Sequence, residues 1–198
     1  MTLRPGLMTS LPSFAAWTVC GIDELDQFSG SGVSHVLSIV DPNWPELSAF
    51  RAYGVHQRTI LQFDDIIDPM VGKIMPAREH MAEILRFARD EAGAILVPER
   101  LLVHCHMGVS RSTAAMATLM ARADSSLSED EIFARLRSIR PQAWPNSVLI
   151  GFADELLGRG GRLTQALRRH YAFQKQHRPD MADWMVRLGR AREVEMAA

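Results

Sequence analysis

Two hydrophobic periods take turns along this chain. Short apolar runs, bounded by glycine-rich or polar stretches, stand at Trp17–Cys20, His35–Val40, Thr59–Phe63 and Leu101–Cys105. Their length and content are those of buried strands. Helical spacing predicts helices over about 22–29, 46–53, 76–92, 110–123, 128–139, 147–158 and 162–176, with another near 181–194. In the 76–92 segment, Met81, Ile84, Leu85 and Ala88 form a core stripe behind Pro76, which suits a first turn. Ser128-Glu129-Asp130-Glu131 reads as a capping box ahead of Ile132 and Leu136. Strands alternating with helices predict an α/β sandwich, a single domain in which helices flank a mainly parallel sheet of about four or five strands. Ligands of such sheets sit at the carboxyl ends of the strands, where Cys105 falls.

The richest chemistry lies where the last strand feeds the helix: His104-Cys105-His106-Met107-Gly108-Val109-Ser110-Arg111-Ser112. A compact turn here aims successive backbone N–H groups, and the helix dipole behind them, at one point, which makes an anion cradle. Arg111 adds a planar fork suited to two phosphate oxygens. An unperturbed thiol titrates near about 8.5. The positive potential of the cradle favours the thiolate of Cys105. The nucleotide-binding pattern G-x-x-x-x-G-K-[ST] does not occur, so an ATPase or kinase reading of the cradle is weak.

The segment Leu102–Ala115 (LVHCHMGVSRSTAA) resembles the signature of the cysteine-dependent protein tyrosine phosphatase superfamily, above all its compact dual-specificity-like branch, bacterial members included. Gly32–Ile39 resembles an early strand of those domains. Thr59–Asp65 (TILQFDD) resembles the strand leading to their general-acid loop, and Arg140–Asn146 (RPQAWPN) the turn after the signature helix. The likeness covers roughly residues 12–160. It implies a phosphatase catalytic domain over 1–160, with 161–198 as a basic helical extension packed on or trailing that domain.

The resemblance also assigns roles. Cys105 is the nucleophile, and Arg111 clamps the phosphoryl oxygens as charge shifts in the transition state. Phosphate binding falls to loop residues His106, Met107, Gly108, Val109, Ser110 and Arg111, with Gly108 letting the loop approach the phosphate without a Cβ clash. Ser112 donates to the sulfur as it leaves, and His104 supports the loop. The general acid comes from Phe63-Asp64-Asp65-Ile66-Ile67-Asp68. Asp65 is favoured, with Asp64 and Asp68 as alternatives. Asn146 either buttresses the signature loop or simply caps the next helix. Trp44 and Trp144 are candidate pocket walls or core aromatics. His106 and Met107, neither of them cationic, argue against a polyphosphorylated inositol lipid as substrate. No metal site or cofactor is indicated, because no carboxylate or thiol set completes a shell around His104 and His106.

Composition narrows this picture modestly. With 198 residues, 47% of them hydrophobic, the chain can bury a substantial core. No apolar run approaches the ~18–20 residues of a membrane span. The N-terminal stretch lacks the apolar core of an export signal. The only cysteines are Cys20 and Cys105, which suits a reducing, cytoplasmic setting. Cys20 reads as a small buried hydrophobe, with a redox partnership to Cys105 as the alternative. Residues 159–198 carry nine Lys/Arg against four Asp/Glu, a balance of +5 in a chain of net charge −1. A solvated face packing on its own domain explains such a tail better than an acidic partner or nucleic acid does.

The expected function is metal-independent hydrolysis of phosphoesters, phosphotyrosine foremost, through a cysteinyl-phosphate. The expected partner is a phosphorylated protein or a small phosphoester. The alternatives are a catalytically weak phosphate-binding pseudophosphatase and a rhodanese-like sulfurtransferase.

Overall fold

The computed structural model of the protein describes residues 14–89, 92–94 and 96–197. Four strands, β1 (Trp17–Cys20), β2 (His35–Val40), β3 (Gln57–Gln62) and β4 (Leu101–His104), form one sheet in the order β1-β4-β2-β3. Every pairing is parallel, with Cys20 opposite His104 and Ser38 opposite His104 on the two sides of β4. β4 lies inside the sheet and is buried along its whole length, as its unbroken apolar run requires.

Among the described residues seven α-helices follow or separate the strands: α1 (Arg78–Arg86), α2 (Arg111–Ala123), α3 (Glu129–Ile139), α4 (Ser147–Leu156), α5 (Arg162–His177), α6 (Pro179–Arg187) and α7 (Ala191–Glu195). The strands divide their side chains by the two-residue period. Trp17, Val19, Leu37, Ile39, Leu101 and Val103 enter the large core shared with the helices. Cys20, Val36 and Leu102 enter a smaller cluster on the other face. That second face is closed by two 3-10 segments, Ile22–Phe28 and Ser48–Ala52, through Leu25 and Phe50. Predicted helices 22–29 and 46–53 are therefore tighter, shorter turns.

Two further helical expectations need correction. The 76–92 helix starts at Arg78 and stops after Arg86, because the chain turns at Ala88 into the left-handed region (φ 57°). Ala88 still reaches the core, but from this turn and not from a helical stripe. Of that prediction, Asp90 and Glu91 lie outside the described residues, as does the N-terminal stretch read for an export signal. The 181–194 helix is two helices, broken at Gly189 (φ 76°). The capping box is present: Ser128 Oγ accepts from the Glu131 N–H, and Glu131 accepts from the Ser128 N–H at 2.9 Å.

The last three helices lie against the rest. Leu163, Ala166, Leu167, Tyr171, Met181, Ala182 and Met185 are buried in the main core. Several tail arginines meet carboxylates of earlier elements: Arg159 and Arg162 at Glu129, Arg169 at Asp130, Arg190 at Asp65 and Arg192 at Asp68. Among the described residues no helix is long and apolar enough to cross a membrane.

Candidate active site

An all-parallel sheet places the carboxyl ends of its strands along one edge. Gly21 follows β1, Asp41 follows β2, Phe63-Asp64-Asp65 follow β3 and Cys105 follows β4. The residues after β2, β3 and β4 meet around a cavity of about 250 Å³ lined by Asp41, Asp64, Asp65, Lys73, Cys105, Arg111 and Arg190 among others. Cys105 is buried at its floor, and its Sγ lies 3.1 Å from Ser112 Oγ on the first turn of α2.

The loop between β4 and α2 is shaped by its surroundings as much as by its own sequence. Gly108 has φ 65°, and a Cβ there would stand 2.4 Å from the carbonyl carbon of Cys20. The close approach that demands glycine is thus to the backbone after β1. Gly21 answers it, since a Cβ there would lie 2.9 Å from the His106 carbonyl, which accepts from the Ile22 N–H. On the outer side, Arg140 donates to the carbonyls of Gly108 and Met107, each at 2.9 Å, and pairs with Glu24. From below, His104 Nε2 meets Ser38 Oγ at 2.6 Å. Burial, helped by the nearby Arg58 charge, pushes the His104 pKa down to about 3, so the ring is neutral.

Arg111 is buried, and its fork is already half committed. Nη1 donates to Asp41 Oδ1 at 2.7 Å and to the Phe63 carbonyl at 2.6 Å. Its Nε is buried with no hydrogen-bond partner among the described residues. Asp65 Oδ2 lies 4.0 Å from that nitrogen. A donor left over in this way fits an anionic ligand of the cavity. Asp41 was not foreseen from the sequence. Its backbone N–H also donates to His106 Nε2, and the His106 ring packs on Trp44 with centroids 4.0 Å apart.

The three candidate acids have different surroundings. Asp64 is buried, takes the Lys73 ammonium at 2.9 Å and accepts from the Ile74 N–H. Burial opposes its charge, but these donors outweigh it and lower its pKa. Asp68 is exposed and pairs with Arg192. Asp65 faces the cavity with 28% of its side chain exposed. It accepts from Ser110 Oγ at 2.7 Å, Asn146 Nδ2 at 3.1 Å and Arg190 Nη1 at 3.1 Å. Burial again acts against the charge and is outweighed, here by Arg190 and Arg111, so its pKa lies below the ordinary value.

Asn146 caps the next helix, and its side-chain amide reaches the acid loop, not the signature loop, whose Ser110 carbonyl accepts from its backbone N–H. Its Oδ1 caps α4 by accepting from the Val148 and Leu149 N–H groups, while its Nδ2 reaches Asp65 and the Ile66 carbonyl. Trp144 is no pocket wall. It is fully buried, stacks on Tyr171 and donates to Glu193. Met107 is 57% exposed and stands between the Cys105 cavity and a neighbouring one of about 440 Å³, bounded by Arg178, Met181 and Trp184. Arg190 and Glu193 went unrecognised in the sequence, where they look like ordinary charges of a polar tail.

A buried thiol beside a hydroxyl, an arginine with an unused donor and a carboxylate across the cavity define a cysteine phosphatase type of site. No protein-family model matches the chain. It is 30% identical over 164 residues to protein phosphatase Slingshot homolog 3 of Mus musculus, covering 80% of this chain and 21% of that protein. It is 26% identical over 179 residues to dual specificity protein phosphatase 12 of Rattus norvegicus, covering 87% and 46%. The chain thus spans less than half the length of these curated relatives. In fold it is similar to the crystal structure of DUSP15, with a TM-score of 0.50 at 18% identity over 82% of this chain and 93% of that one. The chain belongs to the cysteine-dependent protein tyrosine phosphatase superfamily and is dual-specificity-like.

Proposed function

We propose that the protein hydrolyses phosphoesters without a metal ion, phosphotyrosine foremost, in two steps on Cys105. The observation that carries the reading is the 3.1 Å contact between Cys105 Sγ and Ser112 Oγ, in a cavity that also presents Arg111 and Asp65. In the first step the Cys105 thiolate attacks phosphorus, the P–O bond to the leaving group breaks, and Asp65 protonates the departing oxygen. Arg111 stabilises the equatorial oxygens through the edge that Asp41 leaves unused. In the second step Asp65, now a carboxylate, takes a proton from water as that water attacks phosphorus. The P–S bond breaks, and the Ser112 hydroxyl stabilises the leaving sulfur. Inorganic phosphate departs.

The cations beside Asp65 favour its ionised form, and the acid role requires a proton. A phosphoester dianion arriving beside it supplies the push, because a neighbouring like charge raises a carboxyl pKa. Asp64 does not share this exposure, being turned toward Lys73 and Ile74. Phosphotyrosine, a phosphorylated protein as partner, a cytoplasmic setting and the division at residue 160 belong to the same proposal. The protein phosphatase names of the two relatives support a phosphorylated protein as partner.

Hydrolysis of an aryl phosphate in the presence of EDTA tests the reading. The native protein turns over, Cys105→Ser does not, and Asp65→Ala loses activity most with a poor leaving group. Absence of turnover by the native protein overturns the enzyme reading and leaves a phosphate-binding module. Full activity of Asp65→Ala on a poor leaving group overturns the choice of acid.

A further inference from the structure

Arg190 sits in the turn between α6 and α7, just after Gly189, with 4% of its side chain exposed. Its guanidinium is divided between two carboxylates from distant parts of the chain. Nη1 donates to Asp65 Oδ1 at 3.1 Å and to Ser110 Oγ, and Nη2 donates to Glu193 at 2.8 Å. Glu193 is fully buried and is itself fixed by the Ser147 N–H at 2.7 Å and Trp144 Nε1 at 3.0 Å. The same Oδ1 of Asp65 also accepts from Asn146, the residue next to Ser147. A closed set of contacts therefore joins the C-terminal helices, the start of α4, the signature loop and the candidate acid. Two buried arginines, Arg111 and Arg190, balance the carboxylates of Asp65 and Glu193.

We infer that Arg190 is a positioning residue for the general acid: anchored by Glu193, it holds the Asp65 carboxylate against Ser110 and Asn146 at the mouth of the Cys105 cavity. The inference rests on the phosphatase reading for its kinetic consequence, though not for the contact itself. It makes the tail beyond residue 160 part of the catalytic unit. A planar fork is needed, because one cation must serve two carboxylates and a hydroxyl at once. Besides Arg190, the charged and titratable groups around Asp65 are Arg111, its neighbour Asp64, His106, Tyr171 and, through Arg190, Glu193, with Asp41, Lys73 and Cys105 lining the same cavity. Loss of Arg190 leaves Arg111 as the cation facing Asp65, and the burial of Asp65 then favours its protonated form.

The test compares the native protein with Arg190→Lys and with the pair Arg190→Met plus Glu193→Gln, which removes both charges of the buried pair and so spares the fold. Two measurements are made. In the first, kcat/KM is followed against pH for an aryl phosphate with a poor leaving group and for one whose phenolate leaves unprotonated. The double variant loses roughly tenfold or more on the first ester and little on the second, its alkaline limb moves up by about one pH unit, and Arg190→Lys falls between. In the second, carbon-detected NMR follows the titration of the Asp65 carboxyl, assigned with Asp65→Asn. It moves upward in the double variant whether or not the protein turns over ester. Equal losses on both esters with an unmoved limb, or an unchanged Asp65 titration, overturn the inference. Failure of the native protein on both esters overturns the phosphatase reading, while the titration still decides the contact.

Discussion

Arg111 Nη1 donates to Asp41 Oδ1 at 2.7 Å, across the cavity from the thiol it serves. The carboxylate holds Nη1 in place, while the buried Nε has no hydrogen-bond partner among the described residues. It also places a negative charge where a phosphate dianion must come. The two effects separate in different variants. Asp41→Asn keeps an acceptor for Nη1 and removes the charge, so inorganic phosphate inhibits several-fold more tightly with turnover near the native rate. Asp41→Ala loses the acceptor and the orientation, so kcat/KM falls by roughly tenfold or more. Phosphate inhibition and steady-state kinetics on an aryl phosphate check both.

Asn146 joins α4 to Asp65, and its two functions also come apart. Asn146→Ala removes a cap from two N–H groups and costs about 1 kcal/mol of stability, together with activity. Asn146→Asp retains the cap but replaces the Nδ2 donor with a second carboxylate beside Asp65. Its urea midpoint stays near the native one while kcat falls. A parallel loss of stability and activity in Asn146→Asp would tie the residue to folding alone.

Gly108 has a positive φ, and a Cβ added there would fall 2.4 Å from the Cys20 carbonyl carbon. Gly108→Ala forces the signature loop off β1. The cost is about 2 kcal/mol or more, with activity lost at temperatures where the native protein is folded. Thermal melts and rates taken together check this.

Stability falls as the solution is made acidic, and histidines contribute before the carboxylates do. Burial holds His104 at about 3 and His170 at about 4 in the folded chain, against about 6.5 when unfolded. The unfolded chain therefore binds more protons over that interval, and stability drops as pH falls from about 6.5 toward 4 and below. His170 accepts from Arg137 and donates to the Ala143 carbonyl, a pattern that needs the neutral ring. Urea denaturation at stepped pH shows the slope. His170→Gln reduces it by about one proton's worth between pH ~6 and ~4.

Legibility in the sequence follows the range of the interactions. The strand, loop and helix around Cys105 could be read because their signals are local: an apolar run, a glycine, an arginine and an alanine-rich period within a few turns. The parallel sheet was readable from alternation, and it alone brings Asp41, Asp65 and Cys105 to one edge. The end of α1 was not, since Ala88 adopts a left-handed conformation without glycine or proline to announce it. Nor were Asp41, Arg190 and Glu193. Each acts through a partner tens of residues away, and charge on a tail carries no sign of which carboxylate it will meet.

The central claim is a covalent phosphoryl group on Cys105, and acid-quench mass spectrometry of the protein during turnover of an aryl phosphate tests it directly. One added phosphoryl group is expected on the peptide that contains Cys105, absent in Cys105→Ser and longer-lived in Ser112→Ala. Turnover with no such adduct, or an adduct on another residue, would contradict the claim.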